Sequence, residues 1–348
     1  MISTSATVLE LDSSPDSLQD YFEQQGWTDG LPVVLPTLER VAAMIAGSGL
    51  SATAEIAAIA PGYALCSVEK LAINAVMAGC RPSYMPVLVA ALRALSVPSF
   101  NLSGVQSTTH PVAPMLVING PIRHEIGLNC QSNVFGQGFR ANATIGRAVR
   151  LVLMNIGQGI PGKTDMATHG TPCKFSFCAG ENEEQNPWEP FHVEHGLALS
   201  DSSVLVHAAE SPHNIQDHAS ANAAELLLMI SDVMMTVGGN NMSSGGEMLL
   251  ALGPEHAAML AKHGMNKQDI RQALHTRMRL QLSRVSEGCQ EWYRTKRKTF
   301  NVALGTTHIP YLDEASQIQI IVAGGQGLHS MVIPSFGISH FALEKIVS

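Results

Sequence analysis

The sequence predicts an α/β protein in which mixed sheets carry flanking helices, and it admits two pseudo-symmetric halves. Three observations carry this. Short continuous apolar runs at 112–119, 248–252 and 318–323 have the length and composition of buried strands. Ala- and Leu-rich segments of helical length alternate with them. Each run ends on a glycine pair or Gly-Pro (Gly120-Pro121, Gly253-Pro254, Gly324-Gly325), where a strand must turn into a loop.

From the N-terminus, residues 1–17 are polar and read as a flexible arm. An amphipathic helix spans 18–25, and a turn over 26–34 feeds a short apolar strand. Thr37 caps a helix over 38–46, which Gly47 to Gly49 end. Residues 55–60 are a strand and Pro61-Gly62 a turn. Ser67 caps a helix that runs to about Ala78. Gly79-Cys80-Arg81-Pro82 breaks it, and a second apolar helix covers 84–95. That break excludes a membrane span over 71–97. After the strand at 112–119 come a Gly/Asn loop, 127–138, and a helix over 142–155 carrying Arg147 and Arg150. Residues 175–179 alternate like a strand end.

The second half repeats this layout. MLLALGP at 248–254 aligns with MLVINGP at 115–121. An Ala-rich segment precedes each (71–97 and 219–237), and a basic helix follows each (142–155 and 267–283). The competing explanations are duplication over about 61–190 and 200–337, and chance likeness between two ordinary strand–Gly-Pro–helix units. Strands at 318–323 and 331–334 close the chain. The expected organisation is a single compact domain over 18–348.

Apolar residues make up 45% of the 348 and charged residues 14%, a lightly charged surface that suits a homo-oligomer. The net charge of −8 leaves nothing to gather on phosphate backbones or anionic lipid, so neither nucleic acid nor membrane is an expected partner. The basic run Arg294, Lys296, Arg297 and Lys298 reads as a solvated helix end. Residues 1–20 carry no secretory pattern. A cytoplasmic protein with six reduced cysteines is expected, and none of the six forms a CxxC pair.

Against that background residues 173–195 stand out. They hold Cys173, Cys178, four glutamates (Glu181, Glu183, Glu184, Glu189), Trp188, His192 and His195. Thiol, carboxylate and imidazole together supply a nucleophile, an acid/base pair or metal ligands. Cys178 at a strand end is the candidate nucleophile or ligand, Glu181 and Glu183 are acid/base candidates, and His192 is a proton shuttle. The competing reading is an inert buried cysteine before a solvated acidic turn. Carboxylates this close raise at least one pKa.

Arg140 and Asn142 at a helix start beside glycines suit an anion clamp. The alternative makes Arg147 and Arg150 partners of the buried glutamates. Asn240 and Asn241 in the loop at 238–246, with His329 in GGQGLHS at 324–330, are candidate substrate contacts. Neither glycine loop fits a nucleotide fingerprint. An iron–sulfur cluster or divalent metal held by Cys80 and Cys178 is a further expectation.

The segments TDGLPVV (28–34), VEKLAINAVMAGCRP (68–82), RANATIGRAVRL (140–151), ENEEQNPWEPFHVEHG (181–196), GPEHAAMLAKHG (253–264) and VAGGQGLHSMVIPSFG (322–337) resemble a family of uncharacterised bacterial proteins. The likeness spans most of the chain and implies one domain family, with a hint of thiol chemistry. It carries over no activity and no catalytic residues.

The expected function is therefore a small-molecule enzyme, of lyase or hydratase type, acting on a C–N, C–O or C–S bond of a polar, anionic substrate. The alternatives are a thiol-dependent amide hydrolase without metal, and a non-catalytic subunit of a redox system that binds a ligand.

Overall fold

The computed structural model describes residues 5–11, 14–303 and 305–347. In chain order, α1 (Pro15–Gln24), α2 (Leu38–Gly47), β1 (Glu55–Ile59), β2 (Ala64–Ser67), α3 (Val68–Ala78), α4 (Met85–Leu95) and α5 (Leu102–Ser107) lead to β3 (Ala113–Asn119). Then come α6 (Ile122–Glu125), α7 (Arg140–Asn155), β4 (Cys178–Gly180), α8 (Phe191–Glu194), β5 (Ser202–Ala209) and β6 (His213–Gln216). The rest is α9 (Ala223–Met234), α10 (Asn240–Ser244), β7 (Met248–Leu252), α11 (Pro254–Lys262), α12 (Lys267–Arg277), β8 (Arg279–Gln281), α13 (Glu287–Arg294), β9 (His308–Pro310), β10 (Ile318–Val322), β11 (His329–Ile333) and β12 (Ala342–Ile346).

Local chemistry sets several boundaries. Thr37 and Ser67 cap α2 and α3 by accepting the amides of Arg40 and Lys70. Ser14 caps α1 with Pro15 in its first turn, so that helix starts three residues before the expected one. Asn266 and Asp269 form a reciprocal capping box on α12. Six strands were missing from the sequence reading: β2, β5, β6, β8, β9 and β12, with β8 falling inside the helix expected over 267–283. His213–Gln216 is an edge strand paired with β11.

Two four-stranded sheets stack as the inner layers of a helix–sheet–sheet–helix sandwich. Their orders are β12-β5-β3-β4 and β10-β7-β11-β6. Leu116, Ile118 and Val206 of the first sheet pack on Leu71, Leu92 and Val149 of α3, α4 and α7. On its other face Met115, Val117 and Leu205 meet Leu249, Ala251, Ile321 and Ile333 of the second sheet. Leu250, Ile320 and Val332 then face α9, α11 and α12. Strands buried on both faces explain the unbroken apolar runs in the sequence. Each fully buried aliphatic side chain contributes about 1.5–3 kcal/mol.

The two sheets share one order of strand senses. From β12 the first runs antiparallel, antiparallel, parallel, and from β6 so does the second. Edge strands are exchanged: β6 follows β5 in the chain but completes the sheet of β11, and β12 follows β11 but completes the sheet of β5. The strands cross at an antiparallel bridge between Ala209 and Ser335. There Glu210 N donates to Pro334 O at 2.8 Å and Phe336 N to Ala208 O at 3.0 Å.

The alignment of 115–121 with 248–254 is corrected by one residue. Met115 faces the inter-sheet core, whereas Met248 faces the helices. Strand side chains alternate with period two, and Leu116 and Leu250 are the residues that share the helix-facing side. Among the described residues no single helix is long and apolar enough to cross a membrane.

Candidate functional site

The parallel pairs β3/β4 and β7/β10 end on the same edge of the sandwich, where open α/β sheets carry their sites. Asn182 N donates to Val322 O at 2.7 Å and Asn182 Nδ2 to Gly324 O at 2.9 Å. Gly324 N donates to Cys130 O at 3.0 Å. These bonds tie the acidic loop after β4, the Gly/Asn loop before α7 and the glycine loop after β10 into one rim.

The acidic loop is organised by Arg123, which is 2% exposed. Its guanidinium lies 3.0 Å from Glu183, bonds Glu184 at 3.0 and 3.2 Å, and donates to the carbonyls of Gly120 and Glu181 at 3.0 and 2.7 Å. Burial pushes Glu184 up. The bonds from Arg123, with a backbone amide and His124, outweigh this and hold its carboxyl at about 2. Glu181 is fully buried and accepts four N–H donors. Asn186 and Val322 serve one oxygen at 2.8 and 3.4 Å, and Asn119 and Phe191 the other at 2.5 and 2.8 Å. Burial raises its pKa against the pull of Lys267 and these donors. Glu183 accepts Gly120 N at 2.7 Å. His192 is also fully buried, 3.9 Å from Glu183, and neither ring nitrogen has a partner among the described residues.

Beside this cluster lies a cleft of about 460 Å³, lined by residues 132–136, Gly253, residues 323–327 and residues 329–331. Two glycines make it. A Cβ on Gly325 would sit 2.0 Å from Ser132 Oγ, and one on Gly253 2.1 Å from His329 O. Ser330 Oγ lies 2.8 Å from His256 Nδ1 and accepts Gly253 N at 3.0 Å. His256 Nε2 is 3.1 Å from the carbonyl oxygen of Asp217. Burial lowers the His256 pKa, against the raising effect of the Asp217 carbonyl and carboxylate. The ring is therefore neutral at pH 7. A carbonyl only accepts, so Nε2 carries the proton and Nδ1 accepts from the Ser330 hydroxyl. This is a nucleophile–base–orienter relay. Among the described residues the amides of Gly325 and Gln326, on the cleft wall, donate to no protein group.

The predicted residues divide. Glu181, Glu183, His192 and His329 lie at this rim, and His329 Nδ1 is 3.0 Å from Asn214 Oδ1. Cys178 instead points into the helix-side core, and burial with neighbouring Cys80 drives its thiol far above the usual range. Cys80 donates to Thr144 O at 3.2 Å, and burial lifts its pKa to about 12. Neither is a thiolate at neutral pH. Arg140 is committed to Gly79 O at 2.9 and 2.8 Å, and Asn142 to Asn129 and Cys178 O. They tie backbone together instead of forming a clamp.

Asn240 and Asn241 sit at the opposite end of β7, bonded to Ser335. The loop at 238–246 therefore does not converge on the site. Arg147 pairs with Asp29 at 2.8 Å and Arg150 with Lys174 O at 2.7 Å, so neither serves the glutamates. Among the described residues no group of three or more His, Cys, Asp or Glu side chains is placed to hold a metal ion.

Sequence reasoning missed Arg123, His256 and Ser330. His256 and Ser330 stood in highlighted strings, GPEHAAMLAKHG and GGQGLHS, whereas Arg123 lies just after Gly120-Pro121 in a stretch that was not singled out. The pairings that build the site span 39 to 77 residues in the chain, and no local pattern encodes them. No protein-family model, curated protein or solved structure matches this chain.

Proposed function

We propose that this chain is a small-molecule hydrolase working by acyl transfer at Ser330. The observation that carries it is the Ser330–His256–Asp217 carbonyl relay on the wall of a cleft between glycine loops. Ser330 Oγ adds to the carbonyl of a short ester or amide, and its proton passes to His256 Nδ1. The free amides of Gly325 and Gln326 stabilise the oxyanion. His256 returns the proton to the departing alcohol or amine, and water repeats the sequence to release the acid. The Nε2–H bond to Asp217 O keeps the ring in the receptive tautomer. We also propose a cytoplasmic, self-associating protein with reduced thiols, on the strength of its composition.

An alkyl fluorophosphonate tests the main reading by intact mass. One adduct is expected, on Ser330. Ser330→Ala removes it, and His256→Ala slows it at least about a hundredfold. No adduct, or an adduct unchanged in Ser330→Ala, overturns it.

A second reading rests on His192, buried with both ring nitrogens unengaged beside Glu183. It makes the acidic cluster the acid/base centre of a lyase or hydratase. Turnover of an unsaturated carboxylate that Glu183→Gln abolishes and Ser330→Ala spares would favour it.

A further inference from the structure

One buried cation on α7 lacks a counter-charge of its own. Arg150 is 7% exposed, and its Nε donates to Lys174 O at 2.7 Å. Among the described residues its terminal nitrogens, Nη1 and Nη2, have no hydrogen-bond partner and form no ion pair. The fields of two carboxylates, Asp165 and Asp29, reach this guanidinium, yet each is held by another cation. Lys174 Nζ donates to both Asp165 oxygens at 2.8 and 2.6 Å. Arg147, about one turn earlier on α7, takes both oxygens of Asp29 at 2.8 Å. The group therefore sets three cations against two carboxylates, all of them largely shielded from water. Burial lowers the Arg150 pKa to about 10, against the raising fields of Asp165 and Asp29, so the guanidinium stays charged at pH 7. A buried guanidinium with only one of its five donors engaged is costly unless something else meets it.

We propose that Arg150 binds one small oxyanion, a carboxylate or a phosphate group, on the edge of its guanidinium formed by Nη1 and Nη2. With Nε held by a carbonyl, that edge offers two parallel N–H donors, the geometry that carboxylate and phosphate accept bidentately. The bond to Lys174 O also fixes the plane of the fork, so little side-chain freedom is left to lose on binding. Lys174 and Arg147 cancel the charges of Asp165 and Asp29, which would otherwise repel an anion. The surplus positive charge acts in a low-dielectric setting, where it attracts an anion more strongly than in water. Neither Ser330, His256 nor any residue lining the glycine cleft takes part, so the test does not depend on the proposed hydrolysis.

Calorimetric titration of the full chain at pH 7 with sodium acetate and with sodium phosphate, at an ionic strength held constant with sodium chloride, reads the proposal directly. One acetate or one phosphate per chain is expected to bind saturably, and the tighter of the two names the acid group of the ligand. Arg150→Met keeps the apolar stem and removes the fork, and binding should weaken at least about tenfold. Lys174→Met releases the Asp165 carboxylate to neutralise Arg150, and binding should again weaken at least about tenfold. If Arg150→Met fails to fold, the titration of the unaltered chain and Lys174→Met still decide. No saturable binding of either anion, a stoichiometry other than one per chain, or a smaller loss of affinity in either variant overturns the proposal.

Discussion

Replacing Arg123 with Met should destabilise this protein more than removing any other single cation. The guanidinium is 2% exposed, and Glu183 beside it has a side chain only 10% exposed. Met keeps the length and apolar stem but leaves the Glu183 charge buried without its counterion, which costs about 3–5 kcal/mol. Glu184 is 46% exposed on its side chain, so its lost pair adds at most about 1 kcal/mol. With a urea slope of about 3 kcal/mol/M, the unfolding midpoint should fall by about 1–2 M at pH 7. Arg123→Met/Glu183→Gln should recover much of that loss, because the stranded charge is gone. Arg123→Lys should fall between, since an ammonium keeps the charge but not the fork.

The pH dependence has a definite sign. The folded pKa of Glu184 is depressed from 4.5 to about 2, so the stability it gains from Arg123 is present above 4.5 and lost as pH falls towards 2. The gap between wild type and Arg123→Met should therefore narrow across that window. A midpoint within about 0.3 M of wild type, or a gap constant from pH 7 to 3, would refute the reasoning.

Three further outcomes are expected. Glu181→Gln turns an NH2 toward N–H donors on one side of a fully satisfied carboxylate, and urea unfolding should show a loss of about 1–3 kcal/mol. His207 sits buried on β5, and desolvation, partly offset by its bond to Ile333, depresses its pKa from 6.5 to about 4. Up to about 3 kcal/mol is thus present above pH 6.5 and lost as pH falls through 4; His207→Asn should flatten the urea midpoint across that range. We also propose that the matched strand senses record a duplication whose edge strands were exchanged. Residues 1–210 lack β12 and expose the β5 edge, so they should be insoluble alone and soluble when co-expressed with 211–348; a soluble, folded N-terminal piece would refute the exchange as a requirement.

Much of the fold was legible because it is local. Continuous apolar runs marked β3, β7 and β10, and side-chain caps marked α2 and α3. β5 and β12 were not seen, because polar and small residues such as Ser202, Ser203 and Glu344 break their apolar runs. Both strands are specified by the sheet edges they complete. The acidic stretch folds into a buried polar cluster around Arg123, and Cys178 faces away from it. Whether a thiol ionises depends on solvent and charge around it, and Cys178 faces the core.

The sequence by itself determined the layer class, the buried strands and the loops rich in glycine, since hydrophobic period and glycine chemistry act within a few residues. Only the tertiary structure decided which side chains meet. Arg123 finds its glutamates across some 60 residues, and Ser330 finds His256 across 74. A buried charge or a neutral imidazole is defined by the partners and the dielectric that folding brings to it, and those are properties of the packed molecule.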